Sequence, residues 1–149
     1  MTRLAKLAAL LATVGWLMTV GAGGVWAEST NHEDDPPRVS FVGIDDHGRA
    51  HERHHFSPNH LNTLVVAVSW RSLAGAHTQR VELVTPDGSV YQRFTTDVRK
   101  VYGRARLETP VRVGGTWITE YQIFGRWTVN VYLDDHSTPV ATADFVLAH

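Results

Sequence analysis

Gly125-Arg-Trp-Thr-Val-Asn-Val-Tyr-Leu133 decides the fold. Trp127, Val129, Val131 and Leu133 fall on every second position, with Thr128, Asn130 and Tyr132 between them. Successive side chains of a strand point to opposite faces, so this stretch is a strand with one apolar side. Asp134-Asp-His-Ser-Thr-Pro139 then supplies turn residues. Ala141, Ala143, Phe145 and Leu147 repeat the alternation on the way back. Two strands alone cannot bury their apolar face, so the rest of the chain must supply a second layer.

The same period runs backwards through the chain. Arg38 to Ile44 reads as a first strand, and Leu64, Val66, Val68 and Trp70 line one face of a second. Val81 and Leu83 begin a third that ends at Thr85-Pro-Asp-Gly88, where Pro presets φ and Gly accepts φ > 0. Val90, Tyr91 and Phe94 carry the return strand, and Arg104 to Val113 is another, ending at Gly114-Gly115. No segment after Ala27 keeps a helical period, and there is no internal repeat. The expectation is an all-β antiparallel sandwich of about seven strands.

The closing hairpin, Gly-x-Trp-x-Val-x-Val-Tyr followed by a polar turn and a strand with Phe145 near its end, resembles that of bacterial secreted immunoglobulin-like domains. Val81 to Val90, with its Pro-Asp-Gly turn, resembles a central hairpin of the same domains. The resemblance spans about half of the mature chain and implies an immunoglobulin-like β-sandwich, not an activity. Such domains mostly serve as binding, spacer or assembly modules. The chain departs from antibody-type domains in having no cysteine, so thiol chemistry is excluded and packing alone must hold the fold together.

The front of the chain reads as an export signal. Arg3 and Lys6 form a positive start, Leu7 to Val20 is apolar, and Val25-Trp26-Ala27 offers small residues at the cleavage positions. The expected organisation is a signal peptide over 1–27, a flexible acidic arm over 28–38 with two prolines at its end, and the sandwich over 39–149. Without Arg3 and Lys6, 12 of the 14 basic residues remain against 15 acidic ones, a net charge of −3. That balance does not favour nucleic acid. The implied location is periplasmic or extracellular, with no membrane span after cleavage and a protein or cell-envelope component as partner.

Six of the nine histidines lie between His32 and His60. His47, His51 and His55 are spaced by four, which keeps them on one side of either a helix or a strand. Together with His54 and His60, and with Asp45, Asp46 and Glu52 nearby, they form a candidate site for zinc or divalent copper. No metal is required by the sequence, because a solvated histidine-rich connection between two strands would look the same. His51-Glu52-Arg53-His54-His55 also matches the zinc-protease string, whose chemistry needs two histidines one helical turn apart and a glutamate base. Gly48 and Pro58 bracket it too closely for a long helix, and Pro58 and Leu61 stand where the extended motif places Gly and His. A zinc hydrolase is therefore the weakest alternative, and no catalytic residue is assigned.

Three further features carry expectations. Asp134-Asp135-His136 echoes Asp45-Asp46-His47 and would join it if both turns lay at one end of the sandwich. Arg93, Arg99, Lys100, Arg104, Arg106 and Arg112 concentrate positive charge, either as a patch for an acidic partner or as the wet face of a sheet. Trp70 and Trp127 follow the inward alternation, whereas Trp117, near Tyr121, is the candidate exposed aromatic contact. Trp117, Tyr121, Arg104 and Arg106 are the candidate partner-binding residues.

Overall fold

The computed structural model describes residues 35–71, 73–101 and 104–149. The segment read as a signal peptide, and the arm as far as residue 34, lie outside the described residues. Among the described residues, nine strands and one short helix follow in order: β1 (Arg38–Asp45), β2 (Ala50–Glu52), β3 (His55–Phe56), β4 (Leu61–Trp70), β5 (Leu73–Val84), β6 (Val90–Val101), β7 (Ala105–Arg112), α1 (Trp117–Glu120), β8 (Gly125–Leu133) and β9 (Ala141–Leu147). They form two sheets, β2-β1-β4-β7 and β3-β9-β8-β5-β6. Seven strands are long, as the alternation predicts, and β2 and β3 are short additions from the histidine segment.

Among the long strands, the first, second and fifth build one sheet. The seventh, sixth, third and fourth build the other. This is the A-B-E against G-F-C connectivity of immunoglobulin-like sandwiches, with the fourth strand added beside the third as in variable-type domains. Arg38 already pairs with Ser69, Pro37 is buried, and Asp35 is ion-paired, so the end of the expected arm belongs to the folded body.

The inward residues of both sheets meet as the period dictates. Phe41, Leu64, Val66 and Val68 face Val81, Leu83, Trp127, Val129, Val131 and Phe145 in one core. Trp127 stacks on Phe145 at 5.9 Å, and Phe145 also meets Phe41 at 5.2 Å. Both inward tryptophans satisfy their ring N–H within the protein. Trp127 donates to the Ile123 carbonyl at 3.0 Å, and Trp70 to Gln79 at 2.8 Å.

Gly43 determines how the chain passes from one sheet to the other. A Cβ there would lie 2.6 Å from the Phe56 ring and 2.9 Å from Leu61. With no side chain on Gly43, Phe56 enters the core beside β1, and the backbone crosses between β2 and β3 above it.

Candidate functional site

The histidine segment is built from strands. Asp45 closes β1 as a turn anchor. Its Oδ1 accepts the backbone N–H groups of His47 and Arg49 at 2.9 and 2.8 Å, and its Oδ2 accepts the Arg49 Nε at 2.9 Å. These bonds, led by the Arg49 backbone N–H, hold the Asp45 carboxyl below its ordinary pKa. Gly48 takes a positive φ and the chain returns as β2. The Arg53 N–H donates to the Phe41 carbonyl at 3.1 Å, and the His54 carbonyl accepts the Val146 N–H at 2.7 Å. These backbone bonds run to other strands instead of four residues back. The helix that a zinc-protease string requires is therefore not formed. His51 lies on β2 of one sheet and His55 on β3 of the other.

The five candidate metal ligands do not share one fate. His51, His55 and His60 line a cleft of about 270 Å³ at the sandwich edge, together with Asp45, Arg49 and Arg53. His51 Nε2 stands 3.8 Å from Asp45 Oδ2. His54 is placed elsewhere: its Nδ1 contacts the Asp144 carbonyl at 3.1 Å and its ring meets Phe41 edge-on. His47 turns back on Asp46, Nδ1 to Oδ1, at 2.7 Å. Among the described residues, Asp45, Asp46 and His47 form the one group of three with ligand atoms all within 4.8 Å of one another. The imidazoles of the cleft must rotate to converge on an ion.

The histidine cleft lies beside a larger one, about 560 Å³, at one end of the sandwich. Asp46, His60, Gly114, Gln122, Phe124 and His149 line it. The Asp45–Gly48 turn, the turn before β4, the loop holding α1 and the chain end therefore share that end. The helix α1 stands in this loop. Thr116 caps it, accepting the Ile118 N–H at 3.3 Å and donating to the Val113 carbonyl at 2.7 Å. Ile118 is buried beneath. Trp117 and Tyr121, four apart and so on one side of a helical turn, point to solvent at 67% and 66% exposure. Their rings meet edge to face at 5.7 Å.

No family model matches the chain, and no curated protein matches it. Among solved structures it is similar to an immunoglobulin-like protein from Pseudomonas aeruginosa, with a TM-score of 0.39, 12% identity, and coverage of 74% of this chain and 92% of that one.

The two Asp-Asp-His triplets lie apart. β8 starts at the end that holds α1 and finishes at the opposite end, so Asp134 to His136 cannot join Asp45 to His47. Asp134 instead pairs with His77, Nδ1 to Oδ2 at 2.8 Å, and its Oδ1 accepts the Thr78 N–H at 2.8 Å. His77 had no signal in the sequence, because its partner lies 57 residues away. The arginine run also divides. Arg93 on β6 pairs with Glu82 at 2.8 Å within one sheet, while Arg104, Arg106 and Arg112 belong to or flank β7 in the other. Arg104 is exposed, and Arg106 pairs with Glu108 at 2.9 Å.

Proposed function

We propose that the chain is an exported, non-enzymatic binding or assembly module of the cell envelope that engages a protein or envelope component through the sandwich end bearing α1. The observation that carries this reading is the exposed Trp117–Tyr121 pair. Aromatic side chains offer large contact area at small entropic cost and are enriched at binding hot spots. The pair sits on a turn held by the Thr116 cap and by Ile118 in the core, so little ordering remains to be done on binding. The test is affinity capture from envelope fractions with the parent protein and with Trp117→Ser/Tyr121→Ser. The reading requires a species that the parent retains and the variant loses. Equal capture by both, or nothing retained by the parent, defeats it.

The presence of His51, His55 and His60 in the lining of one cleft favours a second reading, in which the same exported protein binds zinc or divalent copper. Three imidazoles and the Asp45 carboxylate are a suitable donor set once Arg49 leaves Asp45. Native mass spectrometry with added zinc, on the parent and on His51→Ala/His55→Ala, decides it. One ion retained by the parent and lost by the variant is expected. An unchanged spectrum and an unchanged Tm at saturating metal would reject the site.

A further inference from the structure

At the end of the sandwich opposite Trp117, four arginines share the outer face of the four-stranded sheet. Ser69 on β4 pairs with Arg38 on one side and with Arg106 on the other. Trp70 pairs with Ala105, so Arg71 and Arg104 stand opposite each other one step beyond the ladder. Alternation puts all four guanidinium groups on the side away from the buried Trp70. All four residues are exposed. Like charges at opposed positions repel, and two acids offset only half of this cluster. Asp35 pairs with Arg71 at 2.5 Å and Glu108 with Arg106 at 2.9 Å. Arg38 and Arg104 have no ion pair among the described residues. Between the four side chains lies a cleft of about 420 Å³, with Asp35 and Ser69 in its walls.

We propose that this cleft is a docking site for an acidic peptide segment, and that Asp35 occupies in cis the place of one of its carboxylates. A guanidinium is a planar fork matched to a carboxylate. The Asp35–Arg71 pair shows a side-chain carboxylate of the polypeptide reaching the cleft. Arg38 and Arg104 then stand ready for two further carboxylates. The site is separate from the aromatic pair, so either can fail without the other.

The test uses the full chain and a fluorescent hexaglutamate peptide, with hexaglutamine and an inorganic polyphosphate as comparators, read by anisotropy. Hexaglutamate should bind, and salt should weaken it. Arg38→Gln/Arg104→Gln should weaken it about fivefold or more, given roughly two- to fivefold for each exposed pair. Asp35→Asn should tighten it about two- to fivefold, because the internal competitor is gone. Circular dichroism should show every variant folded. Hexaglutamate binding that ignores the two arginines, or no binding at all, would overturn the site. Polyphosphate binding without hexaglutamate binding would overturn the peptide assignment. No gain from Asp35→Asn would overturn the role given to Asp35.

Discussion

Trp70 on one sheet donates its indole N–H to the side-chain oxygen of Gln79 on the other, 2.8 Å away and shielded from solvent. In a sandwich without cysteine, this buried hydrogen bond is a directional link between the layers. The Gln79 Nε2 finds no partner among the described residues. The amide thus keeps one satisfied and one unsatisfied group, and an unpaired buried polar group is costly. Trp70→Phe should therefore destabilise by about 1–3 kcal/mol through the amide it strands, in addition to lost packing. Urea melts of Trp70→Phe, Gln79→Met and the double variant check this. The double variant should lose less than the sum of the singles. Additive losses would mean that the bond contributes nothing specific.

Gly43 lies under the crossover that carries the histidines. Because a Cβ would stand 2.6 Å from the Phe56 ring, Gly43→Ala should destabilise by about 1–3 kcal/mol, as overpacking does in a dense core. The damage should be local at first. Amide exchange should accelerate at Val146 and Ala148, whose N–H groups are held by the His54 and Phe56 carbonyls. Unchanged protection there would show that the crossover adapts freely.

Alternation made the long strands legible, because a period of two survives whatever the partner strand is. Trp127, Val129 and Val131 could be placed inside from their spacing alone, and all three are buried. The histidine segment was not legible in the same way. A spacing of four fits either helix or strand, and what separated His51 from His55 was a backbone crossing made possible by Gly43 and Phe56. Local spacing carries no record of that distant contact. His77 with Asp134, and the arginine row across β1, β4 and β7, were hidden for the same reason: strand register, not sequence distance, brings them together. The exposed aromatics were easier to find, since Trp117 follows two glycines and stands outside any alternating run.

The acid limb of stability should reflect Asp134. The His77 side-chain bond first, and the Thr78 N–H next, hold its carboxyl below the usual value. His136 also acts on it, and Asp97 and Arg99 line the same hollow. A depressed carboxylate favours the folded state fully above its unfolded pKa, near 4. That contribution fades as pH falls through the folded value. Asp87, bonded by the Thr85 hydroxyl and the Ser89 N–H, acts in the same direction. Tm measured from pH 7 down to about pH 2 should fall for the parent as these groups protonate. Asp134→Asn should start lower at pH 7 and fall less steeply. A variant curve parallel to the parent would remove Asp134 from the account.

Trp117 and Trp127 are ten residues apart and should behave in opposite ways. Trp127 has no exposed surface and stacks on Phe145, so Trp127→Ala should cost about 3–5 kcal/mol, as large core truncations do. Trp117 and Tyr121 project into solvent from a turn whose buried anchor is Ile118. Trp117→Ser and Tyr121→Ser should each change stability by less than about 0.5 kcal/mol, the range of surface substitutions. Ile118→Ala should cost about 2–5 kcal/mol and loosen the turn. Chemical denaturation of the four single variants provides the comparison. If Trp117→Ser destabilised as strongly as Ile118→Ala, the aromatic pair would be part of the core's support, and its exposure would no longer argue for a partner.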